Sequence, residues 1–381
     1  MPQSELTIVT GGAGFIGAHL VRLLVAEGSR VRVIERPGAF VDHLPAAVEL
    51  VYADIRDRSA LAAAMADARF VYHLAANPHL WARDRREFDE VNHQGTVNVL
   101  ETALAAGAER VLHTSTESIL TRRTVTGVID EQVVVTERDA VGPYCLSKLR
   151  AEQAAMRLAE RGQPVVVANP TMPVGPGDYG LSPPTRLIRD FCQGRLPAIL
   201  DCSLNLIDCR DVALGLTLVM RRGRPGRRYL LGGENVTLSG LLNLLSEMTG
   251  VAPPRWRVSF QAALAIAYVS EFLADHVTGR MPQATVTGVL LARRVMHFDP
   301  RQSLEELGLN PRPIRESLQD AVAWLNSHPG APGFPKPRRR PWPLPGTSPG
   351  KRRPPPQAQP HAVARPEAGS GEAAAVDPSS A

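Results

Sequence analysis

A chain of 381 residues, 44% hydrophobic and 21% charged, can bury a large core and has the composition of an ordinary globular enzyme rather than a disordered chain. Its four cysteines (Cys145, Cys192, Cys202, Cys209) form no C-x-x-C pair and have no histidine at ligand spacing, which argues against a disulfide framework and against any metal site. The net charge of +5 belongs to residues 331–381, where eight basic residues face three acids; the first 330 residues are formally neutral, so the body has no electrostatic case for binding nucleic acid.

In chain order, Leu6–Thr10, Val31–Ile34, Val48–Tyr52, Phe70–Ala75, Arg110–Thr114 and Pro164–Ala168 read as strands. They are near-continuously apolar, as central strands of a parallel sheet are. Between the first two, Ile16, Leu20, Leu23 and Leu24 fall on one helical face, with Gly28 as a stop. The pattern predicts an α/β fold, a doubly wound parallel Rossmann sheet. Residues 1–169 would form its dinucleotide-binding domain. The Pro- and Gly-rich stretch from Asn169 to Thr185 breaks this rhythm. Beyond it, Asp208–Met220, Thr237–Thr249, Gln261–Leu273 and Ile314–Leu325 read as amphipathic helices. Residues 170–330 are expected to be a smaller substrate-binding region, interleaved with the last sheet strands through a strand near Tyr229–Leu231. Residues 331–381 hold 13 of the 33 prolines and read as a disordered, solubilising tail, although its RRR and KRR clusters could touch anionic lipid or nucleic acid. The longest apolar run, Ala262–Val269, has eight residues, against the ~20 that span a bilayer. With a strand beginning near residue 6 there is no leader pattern, and the expectation is a cytoplasmic protein without a transmembrane segment.

Gly11, Gly14 and Gly17 have the G-x-x-G-x-x-G spacing between a strand and a helix. Glycines here permit the tight turn, the approach of backbone to a pyrophosphate, and close helix–strand packing; Phe15 and Ile16 open the helix whose N–H groups would face the phosphates. Glu35, 21 positions beyond Gly14, can accept from a ribose 2′-hydroxyl, while Arg36 could pair with a 2′-phosphate. The cofactor is therefore NAD or NADP, with NAD favoured because a carboxylate repels the phosphate. Asp54 and Ile55, just past the third strand, are candidates for the adenine side; Asp54 reads equally well as a loop-capping residue.

Tyr144 and Lys148 stand one helical turn apart on one face. A phenol with a pKa near ~10 is a poor base at neutral pH, but a neighbouring ammonium favours the phenolate. Thr116, after the fifth strand, offers a hydroxyl to a substrate oxygen. Thr116, Tyr144 and Lys148 are the candidate catalytic residues. Trp81 and Arg83, in the loop after the fourth strand, are candidates for lining the substrate site, because ligands of open α/β sheets bind at the carboxyl ends of strands. His19, His113 and Cys145 read as packing residues.

The segments TGGAGFIG, ADIRD, VYHLAA, VNHQGTVNVLE, TST, YCLSK, NPTMPVGPGD and DCRDVA occur in the order of the extended short-chain dehydrogenase/reductases, which the chain resembles over residues 5–326. Within that family it is similar to hopanoid-associated sugar epimerases and dihydroflavonol-reductase-like proteins, through NPHLWARD, GRLPAILDCSLNLIDCRDVA and RYLLGGENVTL. The resemblance implies that Thr116, Tyr144 and Lys148 form a catalytic triad, with Lys148 also holding the nicotinamide ribose. It places His73, Ala75 and Asn92 near the cofactor and Asn169 beside the nicotinamide, and it makes a homodimer possible. It implies an NAD(P)-dependent sugar epimerase working by reversible hydride transfer on a small molecule such as a nucleotide-sugar. The alternatives are an NADPH-dependent ketone or aldehyde reductase, a sugar dehydratase, or a non-catalytic scaffold. Two departures stand out: Thr replaces the family's usual Ser, and Glu117 follows it. Glu117 could be a general acid for dehydration, but a salt-bridged or solvent-facing side chain is the expectation.

Overall fold

The computed structural model describes residues 5–123 and 127–328. The tail expected at 331–381 lies outside them. The chain opens with β1 (Leu6–Thr10), α1 (Phe15–Ala26), β2 (Arg30–Glu35), β3 (Glu49–Tyr52), α2 (Arg58–Ala64) and β4 (Phe70–His73). A π-helical turn, Phe88–Gln94, runs into α3 (Gly95–Ala105), and then come β5 (Arg110–Thr114), α4 (Gly142–Glu160) and β6 (Val165–Pro170). The expected strands are all present with ends shifted by one or two residues. The fourth stops at His73 because Leu74 and Ala75 turn over the glycine loop, and α4 starts at Gly142, where Pro143 supplies a favourable first-turn φ.

The second half contributes β7 (Met172–Val174), α5 (Pro183–Cys192), β8 (Ala198–Ile199), β9 (Ser203–Asp208), α6 (Cys209–Arg222), β10 (Arg228–Leu231), β11 (Glu234–Thr237) and α7 (Leu238–Thr249). It closes with β12 (Trp256–Arg257), α8 (Phe260–Leu273), α9 (Val286–Ala292), α10 (Arg301–Leu307) and α11 (Ile314–Ser327). Local chemistry sets several of these starts. Asp208, Thr237 and Ser259 accept from backbone N–H groups in the first turns of α6, α7 and α8, as N-cap side chains do.

Seven parallel strands make the main sheet in the order β10-β6-β5-β4-β1-β2-β3, so the strand expected near Tyr229–Leu231 returns to it as β10. Successive strand residues serve opposite faces. Val9, Val31 and Val33 pack with Leu20, Val21 and Leu216 under α1 and α6, whereas Ile8, Ile34, Val71 and Val111 pack with Leu61, Val99 and Ala155 under α2, α3 and α4. A smaller sheet, β11-β9-β7, carries a further core shared with α5, α7 and α11. The order of strand addition reverses between the parallel neighbours β1 and β4, whose carboxyl ends therefore flank a crevice, the ligand position of doubly wound sheets. No helix among the described residues is long and apolar enough to cross a membrane.

One helix departs from expectation. In α8 the buried positions are the small residues Ala263 and Ala267, while Ile266, Tyr268, Val269, Phe272 and Leu273 face outward. The periodicity is helical, but the large apolar side is the exposed one.

Candidate active site at the carboxyl edge of the sheet

The glycine loop joins β1 to α1. Gly11 has φ +72° and lies against the Ala75 backbone, where an added Cβ would stand 2.6 Å from the Ala75 nitrogen; at Gly17 it would stand 2.2 Å from the Gly11 carbonyl oxygen. Both positions therefore require glycine. Gly14 is the N-cap of α1 and offers no side-chain bond, so the first N–H groups of a 12-residue helix, beginning at Phe15 and Ile16, are left for an anion. Glu35 ends β2 and accepts from the Ala13 N–H (2.8 Å), and burial raises its pKa. Arg36 beside it is exposed. Such a loop suits a dinucleotide pyrophosphate, with the Glu35 carboxylate beside it.

Other cofactor candidates are held by the protein itself. Asp54 accepts from the Arg56 backbone N–H (2.9 Å) and guanidinium (2.6 Å), which lower its pKa and match its reading as a loop cap. Ile55 is buried against Gly95. Asn92, buried in the π-helical turn, accepts from Asn77 N–H (2.7 Å) and donates to the Asn77 carbonyl (3.1 Å) and the Ser147 hydroxyl (3.2 Å). It thereby fastens the 77–84 loop to α4. His73 is buried between the hydroxyls of Thr10 (2.7 Å) and Thr96 (2.9 Å), and burial lowers its pKa to about 3, so it is a neutral support. His113, stacked on it with ring centroids 5.5 Å apart, is equally buried and held neutral, while His19 bonds the Pro176 carbonyl (2.8 Å).

Thr116, Tyr144 and Lys148 converge where β5 ends and α4 begins. The Thr116 hydroxyl donates to Glu117 Oε2 (2.8 Å) and stands close enough to the Tyr144 phenol to act on its ionisation. Burial raises the phenol's pKa, with Cys145 and Glu117 adding to the rise and Thr116 opposing it. Lys148 donates from Nζ to the Thr114 carbonyl (2.8 Å), and burial lowers its pKa to about 8 against the favourable field of Glu152. Lys148 thus engages the backbone at the end of β5 in this geometry. The ammonium is turned to the strand end, and desolvation raises the Tyr144 pKa.

Glu117 corrects an expectation. It is neither solvent-facing nor salt-bridged among the described residues; it is 8% exposed, bonded to Thr116, and burial lifts its pKa to about 7. Asn169, at the end of β6, donates to the Thr116 carbonyl (3.1 Å) and to Glu152 Oε2 (2.6 Å). Among the described residues its own Oδ1 is buried without a partner, an acceptor left for a ligand donor. Sequence reasoning missed Glu152 and Arg228, whose buried pair (2.7 Å) orients Asn169. Glu152 carried a signal, being one further turn along the Tyr144–Lys148 face; Arg228 carried none.

Of the substrate candidates, Trp81 is buried and donates from Nε1 to Asp275 beyond α8 (2.9 Å), so it braces its loop. Arg83 is exposed near Gly279. Arg186, which the sequence did not single out, is half-buried on α5, donates to the Leu181 carbonyl (3.2 Å), and shares its surroundings with Asp178 and with His79 of the 77–84 loop.

The profile of the NAD dependent epimerase/dehydratase family matches residues 7–232. A putative dihydroflavonol 4-reductase of Synechocystis sp. is 36% identical over 331 residues, 86% of this chain and 96% of the relative. Sterol demethylase protein B of Methylococcus capsulatus is 34% identical, covering 84% of this chain and 98% of that protein. Among solved structures, gox2253 superposes with a TM-score of 0.75 at 35% identity, covering 85% of this chain and 99% of that one.

Proposed function

The chain belongs to the NAD-dependent epimerase/dehydratase family of enzymes, and from that premise we propose that it reduces a ketone to a secondary alcohol, with Tyr144 as the proton donor. One observation carries this reading: the half-buried Tyr144 phenol, its pKa raised by desolvation, stands beside the Thr116 hydroxyl with the Glu117 carboxyl bonded behind it. A protonated phenol is equipped to give a proton rather than to take one. When bound, the reduced dinucleotide supplies the hydride. Thr116 orients the carbonyl oxygen, Tyr144 protonates it as the carbon accepts the hydride, and Glu117 can return a proton to Tyr144 through the Thr116 hydroxyl. Gly11, Gly14 and Gly17 would receive the pyrophosphate with Phe15 and Ile16, Glu35 the adenosine ribose, and Asn169 Oδ1 a donor on the nicotinamide side. The reductase named among the relatives agrees with this direction.

A second reading is sugar epimerisation, including a hopanoid-linked step, in which the hydride returns to the opposite face and the cofactor is retained. Arg186 favours it, as a half-buried guanidinium at the cleft that suits a substrate diphosphate. Glu117 would serve a dehydratase equally well. Incubation with NADH or NADPH and a panel of ketones separates these readings. Stoichiometric loss of reduced-nicotinamide absorbance with alcohol product is expected. Conversion of a nucleotide-sugar with no net cofactor consumption would replace the reductase reading with the epimerase one.

A further inference from the structure

Helix α8 and the π-helical turn that continues it, Ala274–Thr278, present an inverted amphipathic surface. Ala263, Ala267 and Ala274 are the residues packed against the protein. Ile266, Tyr268, Val269, Phe272, Leu273 and Val277 recur at helical spacing on the opposite side and are between 44% (Leu273) and 71% (Val277) exposed. A contiguous apolar face of this kind marks an interaction surface. Beside it runs an open groove of about 660 Å³, walled by Ile266, Val269, Leu273, Met281 and Pro282, with Arg280 at its margin.

Arginines outnumber carboxylates around this face. Arg280, Arg83 and Arg293 are exposed, the last lying 4.8 Å over the Phe260 ring. The two acids of the helix share one arginine: Glu271 meets Arg85 (3.1 Å) and the Val286 N–H (2.8 Å), and Asp275 meets Arg85 (3.2 Å) and the Trp81 indole. A second copy docked through the same face would set these arginines against one another. Anionic headgroups complement them, and the acyl region accepts the apolar side chains.

We infer that this face is a monotopic docking surface for an anionic lipid bilayer. The helix is tied by Trp81 and Arg85 to the loop flanking the cleft, so docking places the substrate entrance at the bilayer. The inference is independent of which reaction the cleft performs.

Sedimentation of the full-length protein with vesicles tests it. Binding is expected to vesicles of phosphatidylcholine mixed with phosphatidylglycerol, and weaker binding to phosphatidylcholine alone. Phe272→Ser combined with Val277→Ser should lower the partition coefficient roughly tenfold or more without changing thermal stability, since both side chains are exposed. Arg280→Glu should weaken binding to the mixed vesicles alone. The tail is controlled by replacing Arg338, Arg339, Arg340, Lys351, Arg352 and Arg353 with Gln in the full chain, which should leave the helix-dependent part intact. Three results would each overturn the inference. These are no binding to either vesicle, binding lost only in the tail variant, and a solution dimer that dissociates in the Phe272→Ser/Val277→Ser protein.

Discussion

Replacing Glu117 by Gln should stabilise the protein at alkaline pH and remove one component of its pH dependence. The carboxyl is buried, bonded to Thr116, and lifted from an ordinary 4.5 to about 7 by loss of solvation. In the unfolded chain it ionises near ~4.3. Between these values the native state holds a proton that the unfolded state has released, so stability falls as pH rises through that window and levels off above about 7. At about 1.4 kcal/mol per pH unit, the rise from 4.5 to about 7 amounts to about 3 kcal/mol. Glutamine preserves the shape and can still accept from the Thr116 hydroxyl, but it never ionises. Urea unfolding of both proteins from pH 5 to pH 8.5 is the assay. The two should be alike near pH 5 and diverge in favour of Glu117→Gln above it, by up to about 3 kcal/mol. Parallel stability curves across the range would refute the claim that this carboxyl is buried and reluctant to ionise.

Gly17→Ala should cost more cofactor affinity than Gly14→Ala, because its Cβ would stand 2.2 Å from the Gly11 carbonyl oxygen whereas that of Gly14 would stand 3.2 Å away; NADH fluorescence titration gives the order. Arg228→Met leaves the buried Glu152 carboxylate unpaired, which should destabilise the fold by ~3–5 kcal/mol in urea, and adding Glu152→Gln should recover part of the loss. Glu35→Ser removes the carboxylate that would repel a 2′-phosphate while keeping Arg36, so the ratio of NADPH to NADH affinity should rise roughly tenfold or more. An unchanged ratio would place the ribose elsewhere.

The sheet was legible because its strands are buried on both faces and stand out as short, continuous apolar runs such as Leu6–Thr10 and Arg110–Thr114, punctuated by glycine-stopped helices. The glycine loop and the Tyr144–Lys148 pair were legible because each is local in sequence. What escaped was tertiary. The direction of the Lys148 ammonium depends on the Thr114 carbonyl, and the ionisation of Glu117 depends on how much protein covers it. Arg228 meets Glu152 across 76 positions, which no local pattern announces. Helix α8 was readable as a helix, but its period does not say which side faces the core, and there the small residues won the inside.

Tyr144 gives its proton at the carbonyl as the hydride arrives in the proposed reaction, and Tyr144→Phe tests this most directly. Single-turnover oxidation of bound reduced nicotinamide by a substrate ketone should slow by roughly 10²–10⁴-fold, while NADH affinity stays at the wild-type value because the glycine loop is untouched. A Tyr144→Phe protein that turns over at the wild-type rate would contradict the account.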